Sequence, residues 1–101
     1  MPDISPDQAV LGRGTLVLPA DLGIEQVHDL RRILDDVLTQ TTPVEIMAAD
    51  VARIHAAALQ LLAAFCRDRR QAGTMTRWSQ PSTTLRQAVE NLGLSPWIEL
   101  P

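Results

Sequence analysis

Hydrophobic residues recur every three or four positions in some parts of this chain and form short continuous runs in others. The first pattern predicts helices and the second predicts strands. Between residues 23 and 40 apolar side chains recur every three or four positions, which predicts an amphipathic helix. Residues 41–43 end it, because the residue before a proline is pushed away from helical geometry. The predicted buried stripe consists of Ile24, Val27, Leu30, Leu34, Val37 and Leu38.

Two more helices are predicted further along the chain. The second begins near Ala56, and Gly73 supplies the left-handed residue that ends it. The third has Ser82 as its N-cap and ends at Gly93. The apolar side of the second helix carries Leu59, Leu62, Phe65 and Cys66.

Short β-prone segments alternate with these helices. They cover residues 8–11, 15–18, 44–47, 74–78 and 97–100. A tight turn at residues 12–14 joins the first two, and the segment 44–47 is expected at the centre of the sheet. Such alternation predicts an α/β fold, with three to four helices packed over a mixed, mostly parallel sheet of four to five strands.

The length of 101 residues is that of one domain, predicted over residues 9–101 after a flexible lead-in at residues 1–8. The net charge is −3, a balance that weighs against nucleic-acid binding. No segment has the length of a membrane span or the order of a signal peptide, so we expect a cytoplasmic protein without membrane insertion.

All nine cations are arginines, and three of them lie in the last turns of the second helix. For Arg67, Arg69 and Arg70 we expect a solvated helix end, in which the cations complement the negative end of the helix dipole. Contact with an acidic partner or an anionic lipid is the alternative.

Few side chains could carry catalysis. His28 lies on the polar side of the first helix, and Cys66 belongs to an apolar stripe, where it is expected to be a small buried hydrophobe. His28 and His55 fall on different helices, and no histidine or acid has a metal-ligand spacing. No phosphate-binding loop or nucleophile elbow is present. We therefore expect no enzymatic activity, no metal and no cofactor.

The segment 51–62 lies at the junction before the second helix, where it reads Val-Ala-Arg-Ile-His-Ala-Ala-Ala-Leu-Gln-Leu-Leu. With the order of strands and helices, and with segments 81–86 and 92–94, it resembles a STAS domain (sulfate transporter and anti-sigma factor antagonist) of the bacterial stand-alone type. The resemblance covers about residues 15–100. Typical members carry an acid, Ser or Thr, Ser or Ala, and Gly. The matching positions here hold His55, Ala56, Ala57 and Ala58.

In that family a partner kinase often phosphorylates the first of these hydroxyl groups. The matching residue here is Ala56, followed by Ala57, and alanine has no oxygen to accept a phosphate. The resemblance therefore implies a docking surface without the usual phosphorylation switch. For His55 three hypotheses are open: a pH-sensitive or phosphorylatable group, a neutral histidine with a local hydrogen bond at the helix start, or part of a partner-facing patch.

The resemblance implies a non-enzymatic protein-interaction module. Its expected partner is a GHKL-type kinase acting as an anti-sigma factor, the ATPase subunit of a lipid-trafficking transporter, or a chemotaxis component. The missing hydroxyl disfavours the first, and a homodimer is left open. A domain that binds a small ligand, such as a nucleotide or an acyl chain, is the alternative function. The candidate partner-binding residues are Asp21, Leu22, Gly23, Arg53, His55, Ala56, Ala57, Gln60, Ser79 and Gln80.

Overall fold

A computed structural model describes residues 10–11 and 14–101, and within this part four strands form the main sheet. In chain order the strands are β1 (Val10–Leu11), β2 (Thr15–Val17), β3 (Asp21–Leu22), β4 (Val44–Met47), β5 (Arg53–Ile54) and β6 (Thr76–Ser79). The main sheet has the order β1-β2-β4-β6, with β1 antiparallel to β2 and the other pairs parallel. The predicted mixed, mostly parallel sheet is confirmed.

Strand β4 lies inside the main sheet, as the sequence predicts, because it pairs with β2 on one side and β6 on the other. The observed β6 begins at Thr76, two residues later than predicted. Gly14 adopts a φ of 85° between β1 and β2, and its carbonyl accepts a 2.7 Å hydrogen bond from the Glu45 amide. The rest of the predicted turn at residues 12–14, and the lead-in at residues 1–8, lie outside the described residues.

Three α-helices accompany the sheet in the described part of the chain: α1 (Val27–Leu38), α2 (Ala56–Gln71) and α3 (Thr83–Asn91). The predicted N-cap of α3 is confirmed, since the Ser82 hydroxyl accepts a 3.1 Å hydrogen bond from the Leu85 amide. Gly73, with a φ of 77°, follows the end of α2 as predicted. None of the described helices combines the length and hydropathy needed to cross a membrane.

The hydrophobic core lies on one side of the main sheet. Along β4, Val44 and Ile46 are buried, whereas Glu45 and Met47 are exposed, so the pleat sends alternate side chains to the core and to solvent. The predicted apolar side of α2 is confirmed by the burial of Leu59, Leu62, Phe65 and Cys66. In α3 the buried residues are Leu85 and Val89.

The predicted strand at residues 97–100 is wrong. The Leu94 carbonyl accepts hydrogen bonds from the amides of both Trp97 and Ile98, each 2.9 Å long, so the chain turns here and does not extend. Ile98 is buried, while Trp97 and Glu99 are exposed. The segment anchors one side chain in the core, and its apolar composition reflects that anchor rather than pairing with a sheet.

Ile24 does not belong to the buried stripe of the first helix. It lies in a short 3₁₀ turn, Ile24–Gln26, which precedes α1, and its side chain is 55% exposed. A 3₁₀ turn advances 120° per residue instead of the α-helical 100°, so the spacing used for the prediction does not extend backward through it. The stripe begins at the half-buried Val27.

The expectation of a solvated Arg69 is also wrong. Its side chain is fully buried, and its guanidinium donates to main-chain carbonyls at the end of α1 and before β6. Arg67 and Arg70 are partly exposed and pair with Asp68 and Glu99 respectively. Only these two of the three arginines match the expectation.

Candidate functional site

The loops that follow β2, β4 and β6 meet at the carboxyl-terminal ends of these strands, because the strands run parallel. Hydrogen bonds join two of the loops directly. The Ala48 amide donates to the Ser79 carbonyl at 3.2 Å, and the Ala48 carbonyl accepts from the Ser82 amide at 3.1 Å. The approaches to α2 and α3 are therefore held side by side.

A second, two-stranded sheet holds the approaches to α1 and α2 together. Strands β3 and β5 run parallel, a pairing that the sequence analysis did not predict. The amides of Ala52 and Arg53 donate to the Ala20 carbonyl, at 2.8 and 3.0 Å. The His55 amide donates to the Leu22 carbonyl at 2.9 Å. These bonds fix the position at which α2 begins.

His55 is the N-cap of α2. Its backbone is extended, with φ −83° and ψ 150°, and its Nδ1 accepts a 3.0 Å hydrogen bond from the Ala57 amide. Nδ1 accepts this bond in the tautomer that carries its proton on Nε2. The local hydrogen bond at the helix start is thus present, and the exposed His55 side chain is also open to a partner.

The three alanines that follow His55 differ in exposure. Ala56 is exposed, Ala57 is half-buried, and Ala58 is fully buried. The first two therefore present methyl groups on the surface at the start of α2, whereas the third packs in the core.

The side chains of Asp21 and Arg53 lie beside this corner. Their closest charged atoms, Asp21 Oδ2 and Arg53 Nη1, are 3.8 Å apart, and both side chains are more than half exposed. A pair this long and this exposed adds little stability. Both charges are thus available at the rim of the surface.

Two of the candidate partner-binding residues are not available through their side chains. Leu22 is buried in the core, and Gly23 is buried with its amide donating to Asp21 Oδ1 at 2.9 Å. The alternation of β3 explains this result, since Asp21 points outward and Leu22 inward. We therefore exclude the Leu22 side chain and the Gly23 amide as partner contacts.

The remaining candidates lie at the surface, together with one residue that the sequence analysis missed. Ile24 is exposed, and its 3₁₀ turn packs against α2. No local signal separates it from the helix stripe. We define the docking corner as Asp21, Ile24, Arg53, His55, Ala56, Ala57, Gln60, Ser79 and Gln80; of these, Ala57 and Ser79 are half-buried and the others exposed.

Cys66 lies far along α2 and is buried. Burial raises the pKa of its thiol from 9.0 to about 11, and the Trp78 side chain, Arg70 and Arg69 offset this only in part. The thiol therefore stays protonated and weakly nucleophilic near neutral pH. His28 is exposed on α1.

Comparison with known proteins gives matches at the level of structure. No family model matches the chain, and no curated protein matches it either. A solved structure of the anti-sigma factor antagonist SpoIIAA, in its unphosphorylated form, superposes with a TM-score of 0.67 and 21% identity, over 90% of this chain and 83% of that one. The Bacillus cell fate determinant SpoIIAA, in its phosphorylated form, gives 0.65 and 21%, over 90% and 86%.

These matches establish the fold. Because they span nine-tenths of the chain, the similarity concerns the whole α/β arrangement and not one motif. The chain has the STAS fold seen in SpoIIAA, as the resemblance drawn from segments 51–62, 81–86 and 92–94 implies.

Proposed function

We propose that this protein is a non-enzymatic regulatory module that binds another protein through the docking corner and lacks the usual serine phosphorylation switch at the start of α2. The fold it shares with an anti-sigma factor antagonist supports a regulatory role. The low reactivity of the buried Cys66 thiol and the capping hydrogen bond of His55 give neither residue a catalytic task.

The observation that carries this proposal is the exposure of Ala56 at the first turn of a capped helix, beside the exposed Ile24. Methyl groups at this position leave room for another backbone to approach closely. Ile24 adds apolar area, and the charges of Asp21 and Arg53 lie at the edge. A small apolar centre with a polar rim is the usual composition of a protein–protein interface.

The lack of a switch follows from chemistry. SpoIIAA has been solved in unphosphorylated and phosphorylated forms, but Ala56 and Ala57 offer no hydroxyl group. Ser82 lies nearby, and its hydroxyl is engaged in capping α3. Binding at this corner is therefore controlled by something other than phosphorylation of residues 56 and 57.

Three classes of protein partner fit this proposal: a GHKL-type kinase acting as an anti-sigma factor, the ATPase subunit of a lipid-trafficking transporter, and a chemotaxis component. The missing hydroxyl favours the last two, because they do not require a phosphate acceptor on this chain. A bacterial source and a cytoplasmic location stay predictions.

Affinity capture from the source cells, quantified by mass spectrometry, tests the proposal. Three versions of the full chain serve as bait: wild type, Ala56→Asp and Ala72→Asp. The control places the same substitution at an exposed position just after the far end of α2. We expect one protein to be retained by the wild type and by Ala72→Asp but lost from Ala56→Asp.

Titration calorimetry with that purified protein then gives the affinities. Equal binding by Ala56→Asp and the wild type would refute the docking corner. A nucleotide or an acyl chain that raises the melting temperature without any protein partner, in a thermal-shift screen, would instead favour the small-ligand function.

A further inference from the structure

Strand β6 forms the outer edge of the main sheet and has an open side. The carbonyls of Met75 and Ser79 accept hydrogen bonds from the amides of Val44, the first residue of β4, and Ala48, the residue after β4. Because bonding alternates along a parallel strand, the main-chain groups of Thr76 and Trp78 point the other way. Among the described residues, nothing hydrogen-bonds to these outward N–H and C=O groups.

A groove follows this open edge on the side of α2. Its volume is about 380 Å³, and it is lined by Cys66, Arg70, Gly73, Thr74, Met75, Thr76, Trp78, Trp97 and Glu99. Two of the exposed large hydrophobic residues border it, Met75 at 57% exposure and Trp97 at 40%. Arg70 lies 5.7 Å from the Trp97 ring centre and is paired with Glu99 at 2.8 Å, so these three side chains form the wall beyond the strand.

The opposite side of the same strand carries an exposed positive charge, Arg77. The side chains of Thr76 and Trp78 face α2, since the Thr76 hydroxyl accepts a hydrogen bond from Arg69 Nε on that helix and Trp78 is buried. The alternation of the strand therefore directs Arg77 to the solvent face, where its neighbour in register on β4 is Glu45. Within the described part of the chain Arg77 forms no ion pair.

We propose that the edge of β6 binds an extended segment of another protein, which adds a strand to the main sheet and places an acidic side chain beside Arg77. The outward main-chain groups of Thr76 and Trp78 supply the hydrogen bonds of such an added strand. Alternate side chains of the segment enter the groove toward Trp97. The remaining ones lie on the solvent face, where a carboxylate matches the guanidinium of Arg77.

Charge argues against a second copy of this chain as the occupant. If two β6 strands paired antiparallel and used the outward main-chain groups of both Thr76 and Trp78, Thr76 of each copy would lie opposite Trp78 of the other. Arg77 would then lie directly opposite Arg77 of the second copy. Like charges directly opposite each other destabilise a pair of strands. An acidic segment meets the same edge with the opposite charge. This proposal does not depend on the docking corner, which lies at the start of α2.

Synthetic seven-residue peptides and the full-length chain test it. The first peptide is Val-Thr-Val-Glu-Val-Thr-Val. The second is identical except that lysine replaces the central glutamate. By fluorescence anisotropy we expect the glutamate peptide to bind at least about fivefold more tightly than the lysine peptide. Arg77→Glu should reverse this preference, and Arg86→Glu, on the exposed side of α3, should leave it unchanged.

N-methylation distinguishes strand addition from contact through side chains alone. One glutamate peptide is methylated at the amides of its odd positions and another at those of its even positions. A strand added at the edge of a sheet donates hydrogen bonds through only one of these two sets of amides. One methylated peptide should therefore lose binding at least about tenfold, while the other retains it. In nuclear magnetic resonance spectra the amides of Thr76 and Trp78 should gain protection from hydrogen exchange when the parent peptide binds.

Several results would overturn the proposal. They are equal binding of the glutamate and lysine peptides, retained binding by both methylated peptides, and no binding of the glutamate peptide at millimolar concentration. A dimer in sedimentation experiments that the peptide dissociates would overturn it as well, because the edge would then serve a second copy. Capture by the docking corner is measured separately with Ala56→Asp, so either proposal can fail alone.

Discussion

The Nη1 atom of the buried Arg69 side chain donates a 2.8 Å hydrogen bond to the main-chain carbonyl of the half-buried Gln40. The same guanidinium also bonds the carbonyls of Val37, Leu38, Thr42 and Met75 and the hydroxyl of Thr76. A buried cation is thus matched by carbonyl dipoles, including those at the negative end of α1. It ties α1, the loop after it and the start of β6 to α2.

Replacing Arg69 by methionine should be strongly destabilising. Methionine keeps much of the apolar stem but leaves all six acceptors of the guanidinium without their donor, among them the buried carbonyl of Val37. We expect the free energy of unfolding to fall by about 3 kcal/mol or more, measured by urea titration.

Arg67→Met is the matched control for this substitution. Arg67 lies two residues away on the same helix and is exposed, with only a 3.2 Å contact to Asp68. Its loss should change the free energy of unfolding by less than about 0.5 kcal/mol. Similar losses in the two variants would show that Arg69 has no special structural role.

The role of Arg69 illustrates what the sequence could not reveal. Spacing places Arg67, Arg69 and Arg70 together at the end of a helix, and nothing local distinguishes them. The partners of Arg69 at the end of α1 and in the loop after it lie 27 to 32 residues away along the chain. Such a site depends on tertiary packing, which a local pattern does not contain. The same holds for the pairing of β3 with β5, two residues each.

Local physics predicted the elements whose cause is itself local. The α2 stripe follows from spacing, the β4 strand from a short apolar segment between turns, and the cap of α3 from Ser82. At the docking corner, resemblance led to residues 55–58. Ile24 was wrongly placed in the buried stripe because it lies in a 3₁₀ turn whose angular spacing differs from that of the helix. No glycine or proline inside the turn signals this change. Trp97 was assigned to a strand because a short segment that anchors an apolar side chain in the core has the same composition as a short strand.

The cap formed by His55 predicts a stability change that depends on the acceptor atom. His55→Ala removes the acceptor for the Ala57 amide and should lower the free energy of unfolding by about 1 kcal/mol. His55→Asn supplies a side-chain oxygen of similar reach and should retain most of the stability. Urea titrations at neutral pH measure both. His28→Ala, at an exposed position inside α1, is the control and should have little effect.

An equal loss in His55→Asn and His55→Ala would contradict the capping role. The cause would then be the contacts of the imidazole ring itself, and His55 would have to be regarded as a packing residue of the docking corner.

The buried thiol of Cys66 predicts how stability depends on alkaline pH. Its pKa is about 11 in the folded protein and 9.0 ordinarily, so the unfolded chain releases the proton first as the pH rises. Stability is fully present below pH 9 and falls as the pH passes from about 9 to 11, by about 2 to 3 kcal/mol in total. The chain contains no lysine and no tyrosine, the two side chains whose ordinary pKa values lie within this window.

Urea titrations at pH 8, 9.5 and 11 measure this slope, with Cys66→Ala as the control. The variant should be less stable at pH 8, because it loses buried volume, but its stability should barely change with pH across the window. The wild-type thiol should also react slowly with iodoacetamide at pH 8 in the folded state and quickly in urea. A slope of equal size in both proteins would rule out Cys66 as its source.

The neighbouring alanines of α2 give the sharpest test of whether the docking corner lies at the surface. Ala56→Asp places a carboxylate on the exposed first turn, near the positive end of the helix dipole, and should change the free energy of unfolding by less than about 0.5 kcal/mol. Ala58→Asp places the same group in the core without a partner and should cost about 3 kcal/mol or more. Urea titrations of both variants at neutral pH measure this difference. Comparable unfolding of the two would mean that the start of α2 is covered, and no partner could then reach the methyl groups on which the proposed function depends.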